Sequence, residues 1–186
     1  MTTSGLLLAA GAGRRMGMPK ALVRDDDGTP WLTRSVQVLR EGGCDRVVVV
    51  LGAGADEAEP LLDGLDGVST VRSEDWSSGM GASLATGLAA LDEADTEAAL
   101  VHLVDLPDVT AEVVARVLAT ATSSQALARA SYDGRPGHPV LIGRDHWLGV
   151  ITSATGDQGA RTYLASHEVT LVECGDLASG ADVDRR

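Results

Sequence analysis

Between Leu8 and Lys20 the chain runs Leu8-Ala9-Ala10-Gly11-Ala12-Gly13-Arg14-Arg15-Met16-Gly17-Met18-Pro19-Lys20. The apolar run from Gly5 to Ala10 thus passes into three glycines, two arginines and a lysine. A buried strand hands over to a phosphate-wrapping loop in this way. Glycine lets backbone N–H groups approach an anion, and cationic side chains neutralise what the backbone cannot. Lys20 is the only lysine among the 15 Lys and Arg residues. A compact ammonium on a thin stem suits a crowded phosphate site better than a planar guanidinium does. An arginine-biased composition could also leave one lysine by chance.

The second chemical stretch is Asp105-Leu106-Pro107, which follows the apolar run Ala98–Val104. An acid at the carboxyl end of a strand suits Mg²⁺, which is usually held by one or two carboxylates plus substrate phosphates. Alternatively, Asp105 caps the turn before Thr110. Near the end, Ala181-Asp182-Val183-Asp184 offers further carboxylates, and a short tail of this kind is expected to fray. Gly11, Gly13 and Gly17 also fit a variant dinucleotide fingerprint. Against that reading, the second strand ends Leu51-Gly52-Ala53-Gly54-Ala55-Asp56, without an acid or arginine where a dinucleotide needs one, and Pro19 cannot sit inside a long first helix.

Hydrophobic periodicity supplies the elements that would position these groups. Strands are expected at Leu6–Ala10, Arg46–Leu51, Val68–Val71, Ala98–Val104, Ala126–Ser131, Pro139–Ile142 and Val169–Val172. Helices are expected from Thr29-Pro30 to Gly42-Gly43, over Glu57–Leu65, from Met80 through Leu84, Leu88 and Leu91, and after Thr110. A short one follows Arg161. Tyr132–Gly137 reads as a turn or hairpin, and Arg24–Gly28, with three consecutive aspartates, as a solvated turn. Alternating strands and helices predict one α/β domain over residues 1–186, a mostly parallel sheet covered on both faces. In such sheets ligands bind at the carboxyl ends of the strands, so Gly11–Lys20 and Asp105 share a site if their strands are neighbours.

The totals exclude several classes. The net charge of −12 and scattered arginines argue against a nucleic-acid polymer as partner. No apolar stretch reaches membrane length, and the N-terminus lacks a basic region before its apolar run. Cys44 and Cys174 lack metal-type spacing. A reduced, cytoplasmic protein is the expectation.

The pattern LAAG-x-x-x-RMG-x-PK resembles the nucleotidyltransferases of molybdenum-cofactor maturation, in particular the CTP:molybdopterin cytidylyltransferases. The resemblance continues, in the family's order, through Asp75–Leu84 (W-x-x-GM-x-x-SL), Asp105–Thr110 (D-x-P-x-VT), Gly137–Leu141 (GHPV-L) and Gly156–Arg161 (GD-x-GAR). It implies a three-layer α/β/α, Rossmann-like nucleotidyltransferase fold with a mixed, mostly parallel sheet. It implies Mg²⁺-dependent transfer of a cytidylyl group from CTP to the terminal phosphate of molybdopterin, with release of pyrophosphate. Ala10 is what cytidylyl members tend to show where guanylyl relatives more often have Gly.

By that resemblance Arg15, Lys20 and Asp105 are the catalytic candidates. Ala9, Ala10, Gly11, Ala12, Gly13, Arg15, Lys20, Gly79, Ser83 and Asp105 would contact the nucleotide. His138, Asp157 and Arg161 would face the acceptor, or else serve structure alone. Asp105 and Asp182 would hold Mg²⁺. The late Asp-x-Asp matches a metal-binding segment of such enzymes, but the Thr-Pro that follows it there is missing, which puts the second ligand in question. A molybdoenzyme would be the downstream recipient. The other readings are transfer from GTP or to another phosphorylated acceptor, non-catalytic binding and delivery of the molybdenum cofactor, and a dinucleotide-dependent oxidoreductase.

Overall fold

A computed structural model of the chain describes residues 1–92 and 95–184. Seven strands form one sheet: β1 (Thr3–Leu8), β2 (Arg46–Leu51), β3 (Val68–Arg72), β4 (Ala98–Leu103), β5 (Leu127–Tyr132), β6 (Arg135–Gly143) and β7 (Thr170–Glu173), in the order β3-β2-β1-β4-β6-β5-β7. All neighbours pair parallel except β6, which runs against both β4 and β5. The helices are α1 (Trp31–Glu41), α2 (Ala55–Ala58), α3 (Met80–Asp92), α4 (Ala111–Leu118), α5 (Trp147–Ser153) and α6 (Arg161–Ala165).

Strand alternation explains the three layers. In β1, Leu7 faces the core with Trp31, Leu32 and Val36 of α1 and Val113, Val114 and Val117 of α4. Leu6 and Leu8 face the opposite core with Leu84, Leu88 and Leu91 of α3, Trp147 and Val150 of α5 and Leu164 of α6. Each of these side chains is nearly or fully buried, worth about 1.5–3 kcal/mol apiece relative to exposure.

Several sequence expectations shift. The first strand starts earlier, because Ser4 is buried and paired to Thr96 through their hydroxyls at 2.9 Å. The helix expected over Glu57–Leu65 is instead the single turn α2 followed by a 3₁₀ turn, Glu59–Leu62. Pro60 lies inside that turn and cannot donate the backbone bond that a longer helix needs. The first and fourth helices begin without a side-chain cap, although Thr110 does occupy the N-cap position of α4. The Arg24–Gly28 loop is no mere solvated turn. Asp25 accepts the Trp31 indole N–H at 2.8 Å and pairs with Arg34.

Candidate active site

Residues Leu8 and Leu103 lie in register on neighbouring parallel strands, so the loop after β1 and the acid after β4 leave the sheet at the same edge. The adjacency that the sequence left open is therefore present. After β1 the chain turns on Gly13, whose φ is +57° and whose added Cβ would lie 2.0 Å from the Met18 carbonyl oxygen. Only glycine fits there. The Gly13 carbonyl accepts from Met16 and Gly17 N–H, at 2.8 and 2.9 Å, and folds the loop back. Pro19 then opens a 3₁₀ turn, Lys20–Leu22, held by the fully buried Ala21. Asp105 is fixed similarly, between the buried Val104 and Leu106.

These anchors aim Lys20 at two carboxylates. Its Nζ donates to Asp105 Oδ2 at 2.5 Å and to Asp184 Oδ1 at 2.7 Å, and Arg15 Nη1 donates to the other oxygen of Asp184 at 2.7 Å. Burial works to lower the Lys20 pKa, but the hydrogen bonds and charges of Asp105 and Asp184 outweigh it and hold the pKa above the usual lysine value. The Lys20 hydrogen bond, with its charge and that of Arg15, lowers the pKa of Asp184. The segment that carries Asp184 is not frayed. Val183 N–H donates to the Asp105 carbonyl at 3.0 Å, and Ser179 donates to Asp108 through both N–H and hydroxyl, at 2.7 and 2.5 Å.

Asp105, Asp182 and Asp184 each offer a carboxylate oxygen within 4.8 Å of the others. An all-oxygen, hard donor set of this spacing fits Mg²⁺ or Mn²⁺. Asp184 is the residue that the sequence undervalued, since its partnership with Lys20 spans 164 positions.

Beside this cluster lies a cavity of about 370 Å³. Of the residues named for nucleotide contact, Ala10, Gly11, Ala12, Gly13, Lys20, Gly79, Ser83 and Asp105 line it, with Trp76, Ser77 and Met80 in addition. Ala9 does not line it. Its side chain is buried on the α1 side of the sheet, because residue 9 alternates away from Leu8 and Ala10. Arg15 is also absent from this wall and borders a second hollow of about 600 Å³, together with Lys20, Asp105, His138, Asp157, Asp182 and Asp184. Gly79 shapes the junction. Its φ is +114°, and a Cβ there would meet the Gly156 carbonyl carbon at 2.4 Å, so only glycine lets the Gly156–Asp157 segment pack on the start of α3. Asp157 and Met80 consequently border both hollows and a third, of about 190 Å³, which also holds His138, Arg161 and Arg129. Burial, reinforced by the Arg129 charge, pushes the His138 pKa down to about 4.

A divided cavity at the strand ends, with one cationic loop and a triad of carboxylates, defines a nucleotide-handling α/β protein. Comparison with known proteins narrows the class: residues 5–171 match the model of the MobA-like NTP transferase domain, and the chain belongs to that family. Over 97% of its length it is 37% identical to the nicotine blue oxidoreductase of Paenarthrobacter nicotinovorans, covering 91% of that protein. It is 31% identical, over 97% of its length and 79% of the relative, to a probable molybdenum cofactor guanylyltransferase of Mycobacterium tuberculosis. The crystal structure of Rv0371c from M. tuberculosis superposes with a TM-score of 0.81 at 28% identity, covering 100% of this chain and 94% of that one. A manganese complex of Rv0371c superposes at 0.75 and 26% identity, covering 98% and 94%. Among the described residues no helix is long and apolar enough to cross a membrane.

Proposed function

We propose that this protein transfers a nucleotidyl group from a nucleoside triphosphate to the terminal phosphate of molybdopterin, releasing pyrophosphate. The observation that carries the reading is the convergence of Lys20, Asp105 and Asp184 beside a cavity walled by the glycine loop. In the reaction an acceptor phosphate oxygen forms a bond to the α-phosphorus while the bond from that phosphorus to the β-phosphate bridging oxygen breaks. Pyrophosphate leaves with the bonding electrons. Such a displacement asks the protein for positioning and charge neutralisation rather than proton transfer.

Lys20 neutralises the triphosphate, and Arg15 supports it from the neighbouring hollow. Gly11, Ala12 and Gly13 let the backbone lie against the phosphates, while Gly79 and Ser83 face the nucleoside. Asp105, Asp182 and Asp184 would hold a divalent cation, Mg²⁺ by preference, whose chemistry there is to offset phosphate charge. His138, Asp157 and Arg161 face the acceptor.

Ala10, which lines the cavity, favours CTP as the donor. The relatives named guanylyltransferases make GTP the competing donor. Incubation with molybdopterin, Mg²⁺ and each nucleotide in turn, with pyrophosphate release as the readout, is expected to give the higher kcat/KM for CTP. A higher value for GTP overturns the CTP assignment. No release with any nucleotide overturns the reaction and leaves cofactor binding and delivery as the function.

The 37% identity to a protein named an oxidoreductase supports a second reading, a nicotinamide-dependent reduction. Two features weigh against it. The glycine loop leads into a three-residue 3₁₀ turn, and the first α-helix begins only at Trp31, so the loop does not open directly into the helix that follows the first strand in a dinucleotide fold. NADH or NADPH titration is expected to give no saturable binding, and saturation would reverse the preference between the two readings.

A further inference from the structure

The third hollow contains a cation that the sequence did not single out. Arg129 lies on β5, half-buried, and its Nε and Nη2 both donate to the Gly137 carbonyl, at 3.2 and 3.0 Å. That double grip fixes the plane of the guanidinium. Arg161, at the start of α6, borders the same hollow. Neither arginine has a carboxylate partner among the described residues, although the chain carries 27 acidic residues against 15 basic ones. Among the described residues Arg15, Lys20, Arg34, Arg72 and Arg116 are paired with carboxylates, whereas Arg14, Arg40, Arg46 and Arg135 are not; what sets Arg129 apart from those four is that it is half-buried and borders a hollow.

The two charges oppose each other. Burial, then the repulsion of Arg161, lowers the Arg129 pKa from the usual arginine value. The floor is aliphatic, built from Leu84, Val101, Ile142 and Leu164. A half-buried guanidinium without a carboxylate partner, with a second guanidinium at the rim of the same hollow, favours an incoming dianion, which can accept charge-assisted hydrogen bonds from both. The hollow shares Leu8, Met80, Leu103 and Asp157 with the nucleotide cavity, so an anion bound there lies next to the donor.

We propose that Arg129 and Arg161 form a subsite for a phosphate monoester dianion, the reacting end of the acceptor. This rests on the nucleotidyl-transfer reading for the word acceptor, but the binding chemistry does not depend on it. Arg129 is the fixed, pre-oriented donor, and Arg161 closes over the anion from the solvent side. The hollow, about 190 Å³, has room for a phosphate and the ester group that carries it.

The test uses the full chain without nucleotide. Inorganic phosphate, methyl phosphate and dimethyl phosphate are titrated calorimetrically, and the arginine Nε–H resonances are followed by NMR. Millimolar binding of the first two, with the diester at least tenfold weaker, is expected, and the Arg129 Nε–H signal should shift. Preference for methyl phosphate over inorganic phosphate assigns the site to an ester, and the reverse preference to free phosphate, which overturns the acceptor assignment. Arg129→Gln should weaken methyl phosphate binding at least tenfold and Arg161→Gln at least threefold, with Arg129→Lys between wild type and Arg129→Gln. Unchanged binding in the glutamine variants, or loss of binding in Lys20→Ala alone, overturns the proposal. If Arg129→Gln melts early, the exposed Arg161→Gln decides. Nucleotide affinity, measured separately, should stay within twofold of wild type in the Arg129 and Arg161 variants. A protein that binds methyl phosphate but no triphosphate refutes nucleotidyl transfer and spares the subsite, and the opposite pattern refutes the subsite alone.

Discussion

Two cationic clusters stand side by side at the sheet edge and are built on opposite plans. Lys20 and Arg15 already hold acids: the ammonium bridges Asp105 and Asp184, and Arg15 takes the second oxygen of Asp184. Among the described residues Arg129 engages no acid and donates to one backbone carbonyl, that of Gly137. In the first cluster a triphosphate would compete with Asp105 and Asp184 for Lys20, and a metal would compete with Lys20 for those two carboxylates. Asp105, Asp182 and Asp184 would hold a divalent cation, which would offset phosphate charge there and leave the Lys20 ammonium for the phosphate. The second cluster has nothing to give up. A paired site couples the arrival of two ligands, whereas an unpaired site binds its anion independently.

Disabling the paired cluster should have the largest effect. Lys20→Ala and Asp105→Asn should each lower kcat for pyrophosphate release by about 10²–10³-fold, the usual cost of removing one preorganised charge from a transition state. Steady-state kinetics at saturating nucleotide and metal check this, and equal rates in either variant would mean that the cluster is structural. Arg129→Gln should raise the KM for acceptor about tenfold and leave that for nucleotide unchanged, the split expected of a purely positional contact. A rise in both constants would erase the distinction between the clusters.

Asp184→Asn tests the exchange itself. It removes a metal ligand together with one of Lys20's two locks, so the half-saturating metal concentration should rise several-fold while maximal rate falls less than in Asp105→Asn. Metal titration of activity measures this. The smallest expected effect concerns His138, which is neutral in the fold down to about pH 4 and titrates near 6.5 when unfolded. Between those values the unfolded chain binds more protons, so stability is full above pH 6.5 and is lost as pH falls toward 4, by at most about 1.4 kcal/mol per pH unit. His138→Asn should flatten the melting temperature in that window. An unaltered profile would show that His138 is charged there and counts as a third cation of the arginine hollow.

The sequence revealed one cluster far better than the other. Lys20 was conspicuous as a solitary residue type, Asp105 ended an apolar run, and the valine-rich segments Arg46–Leu51 and Ala98–Val104 announced buried parallel strands that would set them at one edge. Arg129 sits in Ala128-Arg129-Ala130, where an arginine alternating with alanines reads as an ordinary outward-facing strand residue. Only packing of the Gly156–Asp157 segment against Gly79, governed by glycine backbone geometry and not by periodicity, turns that face into a hollow. The docking of Asp184 was hidden for another reason. It depends on contacts between residues far apart in the chain, namely Val183 to Asp105 and Ser179 to Asp108, and these leave no local pattern.

The reversed direction of β6 has a consequence for change. Parallel strands bring their final residues to the same edge, and β1 and β4 deliver the glycine loop and Asp105 there in that way. Because β6 runs backwards, it brings its opening residues, Gly137 and His138, to the same edge through a two-residue turn at Asp133-Gly134. Glu173 fastens that turn from β7 by accepting the N–H groups of both turn residues and the hydroxyl of Ser131. The part of the proposed acceptor wall that carries Arg129 and His138 is therefore a hairpin with its own clasp, joined to β1 and its loop through the β4–β6 ladder. On the proposed function, the outward-facing positions of that hairpin can change the acceptor side while the loop after β1 stays as it is, provided that buried Ala128, Ala130 and Val140 keep their packing.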